Sequence, residues 1–184
     1  MDITVIALAL ILFLVVFAII QYNKLIRLNI QVDEGFSQIE VQLKRRADLI
    51  PNLVETVKGY ATQEREVFER VVQARAASTS ASTLPAVAAA DGALTNALRG
   101  LLAVAEAYPD LKSSTNFLQL QEELATTENK VSFARQFYND TVRSLNTAVK
   151  TIPSSLFVGL AKVGEREFYE VDDPAVRNAP NVKF

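Results

Sequence analysis

Gln42-Leu43-Lys44-Arg45-Arg46-Ala47-Asp48-Leu49-Ile50-Pro51-Asn52-Leu53-Val54-Glu55, followed by Val57-Lys58-Gly59-Tyr60 and closed by Glu64, is the stretch on which the fold turns. It opens on concentrated charge, meets a proline, and resumes as an amphipathic helix. From there Leu53, Val57, Tyr60, Glu64, Val67, Val71 and Ala74 recur in alternating steps of four and three, the spacing of a seam that packs against other helices. Glu64 is the one charged member, at a place where a purely structural pattern puts an apolar side chain. Pro51 disfavours helical geometry at Ile50 and has no backbone N–H to donate. Asp48 is a suitable N-cap, which places Pro51 in the first turn of a new helix. A continuous helix kinked at the proline is the alternative.

Upstream, Leu25, Leu28, Val32, Phe36, Ile39 and Leu43 step by three or four. Gly35 weakens a helix there by about 1 kcal/mol without ending it. Residues 3–20 are apolar except for Thr4. Extended to Tyr22 they span about 30 Å, the thickness of a bilayer hydrocarbon core. Asp2 is the only early charge and no small-x-small site follows, so an uncleaved span is expected rather than a signal peptide. The apolar run has no polar face, unlike a core helix. Lys24 and Arg27 form a juxtamembrane basic pair with no Lys or Arg before the span, which favours an outside N-terminus and a cytoplasmic domain. Lys44-Arg45-Arg46 lie roughly 36 Å beyond the span on a straight helix. That exceeds the Debye length of about 8 Å, so a solvated face with interhelix pairing is expected there.

Downstream, the second helix is expected to run to about Ala77, with a loop over residues 78–83. Thr83 then caps a third helix that has Pro85 in its first turn. Leu84, Val87, Leu94, Leu98, Leu101, Ala105 and Tyr108 outline that helix, with Asp91-Gly92 as an interruption and Tyr108-Pro109-Asp110 as a turn. A fourth helix of roughly 50 Å is expected over Thr115–Lys150, ended by Pro153. The tail, with Phe168-Tyr169, Pro174 and Pro180, reads as mostly irregular, with room for a short strand and its aromatics folded over an apolar seam. The expected layout is a transmembrane anchor over residues 1–22, a helical region over 23–153 and a tail over 154–184.

Composition narrows the chemistry. The 184 residues are 49% hydrophobic and 22% charged, with a net charge of −2 and a pI near 5.3. That balance argues against nucleic-acid binding, which relies on a basic field. With no cysteine and no histidine, disulfides, zinc-thiolate sites and histidine-centred catalysis are excluded. Ferritin-like centres need Glu-x-x-His and cannot be built. Glu122 and Glu123 diverge by about 100° around a helix and do not converge on a substrate. No Gly-rich phosphate loop is present. No catalytic residue, cofactor or metal is expected; an all-carboxylate magnesium or calcium site, and with it a metal-dependent enzyme, is the least favoured alternative.

The motifs themselves resemble the LemA family. QLKRRADLIPNLVETVKGYATQE behind an N-terminal anchor is similar to that family's most distinctive block, EAYPDLKSSTNFLQLQEELATTENKVSFARQFYND to its second, and NTAVKTIPSSL with a final NVKF to its C-terminal pattern. The resemblance covers nearly the whole chain. It implies an all-α fold: a transmembrane helix continuing into an elongated antiparallel four-helix bundle with a mostly irregular tail. It thereby favours a turn over a kink at residues 48–51. It also implies no established catalytic activity, and one branch of the family is associated with forming magnetosome membranes. Phe36 stands where relatives commonly have Trp, Gln63 where many have His, and Leu145 and Ile152 where aromatics are frequent. Gln63 counts against any mechanism needing an imidazole there.

Arg46, Asp48, Asn52, Glu64, Glu128, Arg135 and Asn139 are the candidate site, an interhelix polar network or a docking surface. Glu128 and Arg135 share a helix face one heptad apart, and Asn139 lies one turn further on. Buried charges must be paired, because leaving one uncompensated costs several kcal/mol. Such residues either fix helix register or receive an effector. The chain therefore reads as a single-pass protein of a bacterial inner membrane, with the lipid bilayer as a partner. Its helices are expected to self-associate as a scaffold, or to serve as an adaptor for another membrane protein such as a protease or sensor.

Overall fold

The computed structural model describes residues 2–170. Its elements are α1 (Ile3–Lys58), α2 (Arg65–Ser80), α3 (Leu84–Glu106), the single turn α4 (Pro109–Lys112), α5 (Thr115–Lys150), a 3-10 turn (Ser154–Phe157) and the short α6 (Val158–Ala161). No strand occurs among the described residues. Pro174, Pro180 and the final NVKF lie outside them.

The course of α1 corrects the reading of Pro51. The helix does not turn at Asp48 but runs through the proline to Lys58. A proline inside a helix removes the donor for the carbonyl four residues earlier, here that of Ala47. Ala47 is buried, so its oxygen needs another partner. Arg75 of α2 supplies it, Nε donating to the Ala47 carbonyl at 2.8 Å. Asp48 consequently stands in mid-helix, exposed, and is not an N-cap.

The chain turns instead over residues 59–64. The N–H groups of Tyr60 and Ala61 close back on the Val57 carbonyl at 3.0 and 2.9 Å, Ala61 is buried, and the Lys58 ammonium sits 5.8 Å from the centre of the Phe68 ring. The stripe from Leu53 to Ala74 therefore belongs to two helices, with Tyr60 exposed in the turn between them. The second helix runs past its expected end near Ala77 to Ser80, which shortens the loop before α3 to residues 81–83, while the other boundaries follow local signals. Thr83 precedes α3 with proline in its first turn, and α5 has the expected bounds. Asp91-Gly92 does not interrupt α3, which passes through it unbroken.

Two compact units emerge, and α1 and α5 each contribute to both. Among the described residues, unit 1 comprises those up to Gln38 with Ala134–Phe168, and unit 2 comprises Ile39–Phe133 with Tyr169 and Glu170. In unit 1, Leu25 and Val32 of α1 and Tyr138, Val142 and Leu145 of α5 are buried. The helices approach closely at Gly35, where a Cβ would lie 3.2 Å from the Tyr138 Cα. After α5 the chain is strapped down by side chain to backbone pairs. Asn146 Nδ2 donates to the Arg166 carbonyl and the Arg166 N–H donates to Asn146 Oδ1, both at 2.9 Å. The Arg166 guanidinium reaches Asp33 Oδ1 at 2.6 Å and Asn29 Oδ1 at 3.3 Å. The Tyr138 hydroxyl donates to the Glu167 carbonyl at 2.9 Å. Burial pushes that phenol above its ordinary pKa of 10.0; Arg166 opposes the shift, and Glu167 and Asp33 add to it.

Unit 2 has a continuous apolar core. Ile50, Leu53 and Val57 of α1, Phe68 and Val71 of α2, Leu94, Leu98 and Leu101 of α3, Leu111 of α4, and Phe117 and Leu124 of α5 pack in one cluster. Fully burying each such side chain is worth about 1.5–3 kcal/mol, which makes this core the main source of order in the unit.

Candidate functional site

With α1 unbroken, its buried side in unit 2 reads Ile39, Leu43, Arg46, Ile50, Leu53 and Val57, in steps of four and three. The buried side of α3 reads Val87, Asp91, Leu94, Leu98, Leu101 and Ala105 in the same rhythm. Each seam thus carries one charged residue among aliphatics. Both are sealed from water: Arg46 is 4% exposed and Asp91 1%.

They meet each other and three further groups. Arg46 Nη1 donates to Asp91 Oδ1 at 3.0 Å and to Thr95 Oγ1 at 3.1 Å. Arg46 Nη2 lies 2.8 Å from Glu128 Oε2 on α5. The Thr95 hydroxyl donates to the Asp91 carbonyl at 2.9 Å. From the chain beyond α6, the Tyr169 hydroxyl donates to Asp91 Oδ2 at 2.8 Å. A guanidinium can serve two carboxylates on different helices because its donors point several ways from one rigid plane, which a lysine ammonium on a flexible stem does not reproduce. The cluster therefore ties α1, α3, α5 and the trailing segment together. The Coulomb attraction and hydrogen bonds offset a desolvation cost of several kcal/mol per ion.

Its chemistry is that of a clamp. Both Asp91 carboxylate oxygens already accept bonds, so this group is not offered to a substrate as a base. Glu128, half-exposed, is held by Arg46. A cleft of about 300 Å³ opens beside the cluster, lined by Arg46, Thr95, Arg99, Gln121, Leu124 and Glu128 among others. Among the described residues there is no group of three or more acidic side chains that could hold a metal ion.

Of the sequence-derived candidates, the structure brings Arg46 and Glu128 together. Asp48 and Asn52 are exposed on α1. Glu64 is half-buried immediately before α2. Arg135 and Asn139 are half-buried on the part of α5 that belongs to unit 1. Lys24 and Arg27 are exposed just past the apolar stretch, Arg27 Nε donating to the Asn23 carbonyl at 3.3 Å. Asp91, Thr95 and Tyr169 were not anticipated. Asp91 had a usable signal, since it falls in step with Val87, Leu94, Leu98 and Leu101; Tyr169 had none nearby.

Comparison with known proteins adds an independent finding. The LemA family pattern matches residues 35–184. The chain is similar to Protein LemA of Metamycoplasma hominis, 24% identical over 165 residues, covering 85% of this chain and 75% of that protein. It is also similar to Magnetosome protein MamQ of Magnetospirillum gryphiswaldense, 23% identical over 161 residues, covering 73% of this chain and 59% of the relative. Magnetosome protein MamQ 2 of Paramagnetospirillum magneticum is 22% identical over 178 residues, covering 83% of this chain and 65% of the relative. The chain thus spans 59% to 65% of the length of these magnetosome relatives.

Proposed function

Because this chain belongs to the LemA family, we propose that it is a membrane-anchored helical scaffold that works by contact and carries out no reaction of its own. The observation behind this reading is the continuity of α1. The same helix carries an apolar stretch long enough to cross a bilayer and, without a break, one of the buried seams of unit 2. An anchor joined to its domain by continuous helix rather than by a flexible linker keeps whatever the domain binds close to the membrane. The helices of the domain are read as an up-and-down four-helix bundle, and Lys24 and Arg27 favour a cytoplasmic placement at the bacterial cell membrane. The MamQ relatives are named as magnetosome proteins, and that name is said of those longer proteins alone.

Self-association is part of the proposal. Val41, Val72, Leu118 and Phe133 stand exposed on unit 2, and a second copy would cover such side chains. Light scattering of the full chain in mild detergent is expected to return a multiple of 20.3 kDa after subtraction of detergent. A single copy at all concentrations removes self-assembly. In-cell crosslinking with mass spectrometry then separates scaffold from adaptor, since an adaptor yields one foreign membrane protein in constant ratio. Protease added to spheroplasts should leave the domain intact if it is cytoplasmic.

A further inference from the structure

Three large aliphatic side chains stand far out of the protein within nine residues of the chain after α5: Ile152 is 80% exposed, Leu156 74% and Leu160 69%. No residue from 151 to 161 is charged. Two contacts within unit 1 fix where this segment lies along α1. The Phe157 ring meets the Phe17 ring edge-on with centroids 6.4 Å apart. The buried Ser154 donates its hydroxyl to Gln21 Oε1 at 3.2 Å. Phe17 and Gln21 belong to the last turns of the apolar stretch.

We infer that residues 152–160 form a second, shallow membrane contact, seated in the lipid of the bilayer that α1 crosses; this rests on the reading of α1 as a span. Counted back from Tyr22 at 1.5 Å per residue, Phe17 lies about 7–8 Å inside the span. Phe157 beside it reaches the same depth. Interfacial amphipathic helices bury their apolar faces about 5–10 Å into the boundary between headgroups and acyl chains. The backbone suits that depth, where lipid offers no hydrogen bonds. Pro153 has no N–H, and the Ser155 N–H donates to the Thr151 carbonyl at 2.9 Å. The Leu156 N–H donates to the Pro153 carbonyl at 3.2 Å and the Val163 N–H to the Val158 carbonyl at 3.3 Å. Lys24 and Arg27 on α1 and Lys162 after the segment are exposed, placed for anionic headgroups, while Lys150 before it pairs with Glu165 at 2.7 Å. Acyl chains are the occupant that this depth selects, since any other partner would have to enter the same layer.

The absence of cysteine makes the test direct. Full-length Leu156→Cys, Leu160→Cys, Phe13→Cys and Val41→Cys variants, all at exposed positions, are labelled with an environment-sensitive fluorophore. They are then reconstituted into phosphatidylcholine–phosphatidylglycerol vesicles. Labels at 156 and 160 should be quenched several-fold more by shallow doxyl-lipid than by aqueous iodide. Position 13 should behave as a membrane control, and position 41, nineteen residues past Tyr22 in the sequence and on unit 2, should show the reverse order. If 156 and 160 follow 41 while 13 stays in lipid, the second contact is refuted and the span survives. Were 13 also to respond to iodide, the span reading would fall as well. Shielding of 156 and 160 from both quenchers would mean that protein covers the patch, which also overturns the inference.

Discussion

Arg166 meets Asp33 at 2.6 Å in unit 1 with the two side chains 37% and 55% exposed, whereas Arg46 meets Asp91 at 3.0 Å in unit 2 with the two at 5% and 1%. The pairs are chemically alike and both help hold the chain that follows α5. Water separates their energetics. An exposed pair exchanges solvation for a screened attraction and nets about 0–1 kcal/mol. A buried pair is nearly balanced as long as it is complete, and becomes costly when one partner is removed. Unit 1 therefore relies on several replaceable straps, including neutral ones such as Asn146 on the Arg166 backbone. Unit 2, ordered mainly by its apolar core, carries a buried charged cluster in which the loss of Arg46 or Asp91 leaves an uncompensated charge.

The largest effect should come from Arg46→Met, which strands Asp91 in the core; unfolding in detergent followed by circular dichroism should show a loss of about 3–5 kcal/mol. Adding Asp91→Leu should recover much of that loss, because an apolar replacement of the whole pair is often neutral. A single substitution without effect would mean that the pair is open to water. Next, Tyr169→Phe removes a hydrogen bond to a carboxylate and should cost about 1.5–3 kcal/mol, with faster proteolysis after residue 169 as a second readout. Arg75→Met leaves the Ala47 carbonyl without its donor, at about 1–3 kcal/mol. That loss should shrink in a Pro51→Ala background, where the backbone N–H returns. Equal losses in both backgrounds would sever the link between Arg75 and the proline. Smallest of all, Asp33→Asn in unit 1 should cost less than about 1 kcal/mol, and the difference should fade as salt is raised.

Much of the helical layout was legible because its signals are local. The apolar run at the N-terminus has the length of a bilayer, Thr83-Leu84-Pro85 starts α3, and α5 keeps a clean apolar spacing between Thr115 and Lys150. What escaped depended on partners distant in sequence. Pro51 looked like a helix stop because nothing near it could replace the missing N–H; the replacement, Arg75, comes from the next helix. Arg46 was legible as a polar candidate, but breaking the helix there hid its place in the seam between Leu43 and Ile50, which is recognisable only when the seam is carried through the proline. Asp91 was hidden by its neighbour, since Asp-Gly is a common turn pair. Glu64 drew attention for the opposite reason: a six-residue turn happened to preserve the spacing of the stripe on either side.

The continuity of α1 through Pro51 underlies the clamp and the scaffold alike, and spin labels on Lys44 and Lys58, both exposed, measure it most directly. In the full chain with Cys at these two positions, an unbroken helix sets the sites about 21 Å apart along its axis, fourteen residues at 1.5 Å each. Electron–electron dipolar spectroscopy should return a single narrow distance in that range. A turn at residues 48–51 would instead bring the two labels onto adjacent antiparallel helices about 8–10 Å apart, and strong dipolar broadening at that range would contradict the account.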